Sequence, residues 1–301
     1  MPTGSDALRT HAPAAADALD AVVATMWTVA ARRDLTGLVA DAARRSAALL
    51  ALEPLAPGPG APAGGPAALS GHDAAAVLAF AEQCTLDVAA VTDEQRAGFL
   101  GAAGRGSGDL AAALWVVDVV PRTRAALDAV AGHGPWPEPP PAAAGDDLWG
   151  ALDGLIRTVP ALDALGPVTS ELIRLRGARQ HRCRLCMSVR SRPALLAGAD
   201  EDTFDAVDHY RDGDLPPLDR AALALVDAML WTPGRLDPAV VADLADLATP
   251  AQRVEVVLDV TRNALNKIAV ALGADAAHVE DGTEVYDVGP DGSLVYGVAL
   301  D

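Results

Sequence analysis

Apolar residues recur along most of this chain every three to four positions, the spacing that turns one stripe of a helix toward a core. The pattern predicts helices over residues 14–33, 35–52, 71–86, 92–103 and 108–131, and again over 146–157, 167–181, 184–198, 201–210, 217–231, 236–246 and 249–272. Two stretches interrupt it, Pro54 to Pro66 (PLAPGPGAPAGGP) and His133 to Pro141 (HGPWPEPPP), where proline and glycine deny the chain a continuing helix. The second reads as a linker between a domain over 1–140 and another over 141–301. Only the tail departs from helical spacing. From Gly282 to Tyr296 two short alternating runs flank Pro290-Asp291-Gly292, which predicts a β-hairpin. An isolated hairpin is marginal in water, so this one is expected to pack on the helical body or on another subunit.

The two halves repeat each other when one is slid along the other. An offset of 146 residues puts Ala48-Leu49-Leu50-Ala51 on Ala194-Leu195-Leu196-Ala197, Arg44 on Arg190 and Asp73 on Asp219. An offset of 141, after a short loop deletion, puts Asp118 and its apolar helix on Asp259. Chance likeness between Ala/Leu-rich helices is the competing explanation. In this alignment Gly37, Ala40 and Thr25 stand opposite Cys183, Cys186 and Glu171. The chain is therefore expected to be a pseudo-dimer whose first half packs on the second and carries none of its reactive groups.

Composition agrees with the pattern. Alanine, leucine, valine and aspartate dominate while aromatic residues make up 4%, which favours helices over sheets and an all-α fold class. With 301 residues, 51% of them hydrophobic, the chain can bury a sizeable core. A formal net charge of −18 argues against nucleic acid or an anionic membrane surface as a bulk partner. Met1 to Asp6 lack the basic and apolar runs of a signal peptide, and no apolar segment of spanning length is free of charge, so a soluble cytoplasmic protein is expected. Lys267, the only lysine among many arginines, reads as a coding preference.

Three cysteines do not make a disulfide framework for a chain of this length. Cys84 stands in an apolar helical pattern and reads as a small buried hydrophobe. Cys183-Arg184-Leu185-Cys186 reads instead as a reactive or metal-binding pair. At the start of a helix the two thiols, three positions apart, share one turn and come within reach of a disulfide. The helix N-terminal partial charge, with Arg182, Arg184 and Arg190 in an arginine-dense stretch from Arg174 to Arg192, would favour the thiolate. A zinc site would need more ligands than the pair and His181 supply, so no metal and no cofactor is expected. Each neighbour also has a plainer role. Glu171 can neutralise Arg174 or Arg176 along one helix face, His181 can cap a helix or sit at the surface, and the arginines can glue this half to aspartates of the other. Asn263 and Asn266 can cap or brace helices.

The segment from Ser170 to Arg190 resembles the carboxymuconolactone decarboxylase and alkylhydroperoxidase D superfamily, whose helical core carries a Glu, a C-x-x-C twelve residues later, and a His four beyond the second Cys. Glu171, Cys183 and Cys186 fit that spacing, and Asn263 to Gly273 resembles the family's closing helix. The likeness covers residues 146–275 directly and the first half through the repeat. It implies two tandem alkylhydroperoxidase D-like helical repeats. It also implies a thiol-dependent oxidoreductase of peroxidase type that cycles the Cys183/Cys186 dithiol with its disulfide. Cys186 would attack a small-molecule peroxide or electrophile, Cys183 would resolve, and an external thiol or dithiol reductant would recharge the pair; a homo-oligomer is expected. At the family's histidine position stands Arg190, and Leu185 stands where some members carry a second histidine. A guanidinium stays protonated at neutral pH, so the relay from carboxylate through imidazole to thiol is broken, with His181 the nearest imidazole in sequence. Arg190 is expected to stabilise charge on Cys186 or to grip an anionic substrate. Two other outcomes stay open: a decarboxylase-like enzyme working without redox on an organic acid bound by Arg190, and a non-catalytic scaffold that keeps the fold without the histidine.

Overall fold

The computed structural model describes residues 2–57, 69–142 and 145–300, and the Pro/Gly stretch beginning at Pro54 lies outside the described residues from 58 onward. The first half contains α1 (Gly4–His11), α2 (Pro13–Arg32), α3 (Thr36–Leu50), α4 (Gly71–Asp87), α5 (Asp93–Ala103) and α6 (Ser107–Ala131). The second contains α7 (Leu148–Thr158), α8 (Pro167–His181), α9 (Arg184–Met187), α10 (Arg192–Leu196), α11 (Glu201–Asp205), α12 (Pro217–Trp231), α13 (Pro238–Leu247), α14 (Pro250–Asn263) and α15 (Asn266–Leu272). A small sheet of β1 (Val189–Ser191), β2 (Glu284–Val288) and β3 (Leu294–Tyr296) completes a mostly helical fold.

Local chemistry sets most helix ends. Capping boxes start α1 (Thr3/Asp6), α5 (Thr92/Gln95) and α14 (Thr249/Gln252), each answering two backbone N–H groups that the first turn leaves free. Proline occupies the first turn of α2, α8, α12 and α13, where its missing N–H costs nothing.

Four departures from the periodicity have physical reasons. Helix α1 is too short to show a period, yet Thr3-x-x-Asp6 announces it. The helix expected over 184–198 is split into α9, β1 and α10, because Pro193 has no N–H for the carbonyl one turn earlier and Ser191 caps a new start. The helix expected over 201–210 is cut to α11 and one tighter turn over Ala206–Asp208. The helix expected over 249–272 bends between α14 and α15, where Leu265, Lys267 and Ile268 each donate to the carbonyl three residues back.

The hairpin forms as the tail's alternation predicts, with Tyr286 opposite Tyr296 and Val288 opposite Leu294. It packs on the helical body, where β2 runs parallel to β1 with Val189 opposite Glu284 and Ser191 opposite Tyr286. That pairing spans the chain between residues 191 and 284 and brings the tail to the cysteine segment.

One apolar core runs through both halves, with α2 laid along α7 and α6 crossing α14. Helix α2 alone among the described helices has the length and hydropathy of a membrane span (mean hydropathy 1.3), and here it carries Asp17 and Asp20 and packs on α7. At the centre the halves share a buried ionic cluster. Asp118 of α6 accepts from Arg122 one turn on at 2.8 Å and from Lys267 of α15. The same guanidinium donates to the carbonyls of Thr85, Met229 and Leu230, at the ends of α4 and α12. The single lysine is thus a buried ion-pair partner. Burial disfavours ionised Asp118, yet Arg122 and Lys267 hold its carboxyl below the usual range.

Removing Asp118 leaves two cations buried and unpaired. Asp118→Ala is expected to lose about 3–5 kcal/mol of unfolding free energy in urea titration; a loss under about 1 kcal/mol would show that the cluster does not hold the halves together.

Candidate active site

Glu171 and Arg174 lie one turn apart on α8, both buried, and pair through two hydrogen bonds of 2.6 and 2.7 Å. Glu171 also accepts from the Tyr286 hydroxyl of β2 at 2.9 Å and from the backbone N–H of Ser191 in β1 at 3.1 Å. Arg174 donates onward to the carbonyls of Cys186 (2.7 Å) and Val189 (2.9 Å), and its guanidinium lies over the Tyr286 ring. One ion pair therefore ties α8, the cysteine turn, β1 and the hairpin together.

The chain leaves α8 through Arg182, a non-glycine residue in the left-handed region at φ 51°. This reversal lets the Cys183 N–H bond the Ala178 carbonyl at 3.0 Å and starts α9. Cys183 is the N-cap, and its sulfur accepts the Cys186 N–H at 3.3 Å. The two sulfurs stand 2.8 Å apart. A disulfide, at about 2.05 Å, is less than an ångström of motion away.

The two thiols differ. Cys183 is fully buried, and the bond it makes to Cys186, followed by burial, pushes its thiol up. Cys186 is lowered to about 7, first by the hydrogen bond from Cys183 and then, against burial, by Arg174 and by Asn266. Asn266 donates from Nδ2 to the Cys186 sulfur at 3.6 Å, while its Oδ1 meets Nδ1 of His181 at 2.9 Å. Burial pushes His181 down to about 3, with Lys267 next, so the ring is neutral and braces Asn266. Cys183, Cys186 and His181 thus come together, and Glu171 reaches Cys186 through Arg174.

Arg190 does not join them. It is buried on the other side of its strand, bonded to Glu201 at 2.8 Å and to the carbonyls of Met187 and Val189, with its guanidinium over Phe204. Neither charge stabilisation at Cys186 nor substrate binding follows from that position, and the expectation of both is corrected. The wider arginine field is also corrected. Arg176 pairs with Asp227, Arg179 with Asp205, Arg184 with Asp275 and Arg192 with Asp287, so these cations staple the second half internally and do not glue it to the first. The single turn of α9, its first N–H taken by Asp275 at 3.0 Å, contributes little helix-end charge. Arg174 and Asn266 supply what those arginines and that helix end were expected to give. Arg174 stood in the sequence as a partner for Glu171 and Asn266 as a brace, but nothing in the spacing said that either faces a thiol. Tyr286 was hidden in the hairpin, a hundred residues from the turn it anchors.

Cys186 opens on a cleft of about 420 Å3 walled by Ile156, Val189, Leu265 and Leu294, with Tyr296 and Arg262 on its sides. Among the described residues no three His, Cys, Asp or Glu side chains converge to hold a metal. Cys84 stands on α4 within electrostatic reach of Lys267 and Asp118, its thiol pushed up to about 12 by burial.

No family model matches the chain, and no solved structure matches it. Two proteins of Mycobacterium tuberculosis are similar to it: "Uncharacterized protein MT2376" of strain CDC 1551 / Oshkosh and "Uncharacterized protein Rv2313c" of strain ATCC 25618 / H37Rv. Each is 39% identical over 235 residues, which cover 74% of this chain and 81% of the relative.

The asymmetry of the thiols sets a pH profile. Iodoacetamide is expected to alkylate Cys186 first, with a midpoint near pH 7 against 9.0 for an unperturbed thiol. Cys183→Ala, which removes the donated S–H, should move the midpoint up, and Cys183→Ser should move it less; a wild-type midpoint at the unperturbed value would refute the assignment.

Proposed function

We propose that this chain, which belongs to the family of these two mycobacterial proteins, is a dithiol–disulfide oxidoreductase that reduces a small peroxide or electrophile. The observation that carries this reading is a pair of sulfurs 2.8 Å apart, one buried and one facing a cleft. The Cys186 thiolate attacks one peroxide oxygen. The O–O bond breaks, Cys186 becomes a sulfenic acid, and the leaving alkoxide takes a proton from solvent. Cys183 then attacks the sulfenic sulfur, its proton leaves with the hydroxyl as water, and the disulfide closes; the two thiols have supplied two electrons. An external thiol or dithiol returns them. Asn266, oriented by neutral His181, donates to the Cys186 sulfur and stabilises the thiolate without moving a proton.

The reading includes two tandem repeats of alkylhydroperoxidase D type. Its support is the order of elements: α1 to α6 recur as α7, α8, the broken α9–β1–α10, α12, α13 and α14 with α15. Arg122 adds to it by bonding the ends of α4 and α12, the matching helices of the two halves. The first half then takes the place of a second subunit, and a thiol cycle of this kind suits the reducing cytoplasm.

Peroxide consumption driven by dithiothreitol tests the reading. The wild type should turn over, Cys186→Ser should fall by about 100-fold or more, and Cys183→Ser given peroxide without reductant should stop at a Cys186 sulfenic acid that dimedone traps. Equal rates in wild type and Cys186→Ser would overturn it.

A further inference from the structure

A second cavity, of about 610 Å3, lies where the end of α3, the middle of α6 and the 133–136 segment of the first half meet the Pro233–Leu236 turn of the second. The thiol chemistry does not use it. Two guanidinium groups line it, from Arg124 on α6 and Arg235 on the turn. Among the described residues neither is within ion-pair distance of a carboxylate, although the chain has 41 acidic residues against 23 basic ones. Arg124 Nε is buried without a hydrogen-bond partner, and the guanidinium lies over the Trp136 ring at 5.1 Å. The indole N–H donates to Asp128 at 3.2 Å, which fixes the ring under the arginine, and His133 lies 3.8 Å from the same carboxylate oxygen. The other acid of the lining, Glu53, is exposed.

Two guanidinium groups without a salt bridge, Arg124 drawn only at longer range by Asp20 and Asp128, face one hollow and form a site for negative charge. Leu55, Pro121 and Leu236 add an apolar wall, and the volume falls in the range of roughly 300–1,000 Å3 that small-molecule pockets occupy. We propose that this cavity binds a small organic anion, its carboxylate or phosphate held by Arg124 and Arg235 and its body set against Leu55, Pro121 and Leu236.

Calorimetric titration of the full chain with benzoate, phenyl phosphate and neutral benzamide tests it. At least one anion should bind saturably, benzamide should not, and Arg124→Gln or Arg235→Gln should each weaken binding about tenfold. The tighter of the two anions tells carboxylate from phosphate. Arg235 is exposed, so Arg235→Gln remains informative even where circular dichroism shows Arg124→Gln unfolded. Absence of saturable binding by either anion up to about 10 mM would overturn the proposal. So would affinities unchanged by substitution.

Discussion

The Glu171–Arg174 ion pair is the constraint on which the site depends. Taking both charges out of water is costly, and the cost is offset only when every remaining donor and acceptor is answered. Here the carboxylate takes the Tyr286 hydroxyl and the Ser191 N–H, and the guanidinium takes two carbonyls of the cysteine turn. The pair thus acts as a clamp as well as a charge. It fixes the backbone at Cys186, joins a three-residue strand to a hairpin from the far end of the chain, and leaves a positive group beside the thiol that faces the cleft.

That clamp needs a rigid frame, which the two halves give each other. Asp118, Arg122 and Lys267 fill the centre with charge that is paired across the boundary, and α15, which carries Lys267, presents Asn266 to the cysteines from the adjoining position. Docking of the halves and placement of the thiol-facing amide are therefore one structural event. The bend between α14 and α15 turns Asn266 inward.

Regular elements were legible in the residues, and the site was legible only in outline. The period of apolar positions located α8 to the residue and α12 likewise, because long amphipathic helices override local detail. The Pro290-Asp291-Gly292 turn announced the hairpin. Cysteines three apart announced a pair within reach of each other. What the spacing did not carry was direction. Arg190, four residues beyond Cys186, was expected to face the thiols, but Pro193 and Ser191 break the helix there, and the short strand that replaces it sends alternate side chains to opposite faces. Arg190 therefore goes to Glu201 while Ser191 offers its N–H to Glu171. Charge density misled in a related way. A run of arginines reads as a positive field until the acids that meet them, contributed from as far along as Asp275 and Asp287, are brought alongside.

The measurement that bears most directly on this account is an equilibrium redox titration of the full chain in dithiothreitol buffers, followed by the mass of the peptide spanning Cys183 and Cys186. A clamp that holds both sulfurs on one turn predicts a single two-electron transition, in which that peptide loses two hydrogens and gains nothing else. A peptide that stays reduced across the range, or that oxidises only by linking to another molecule, would contradict it.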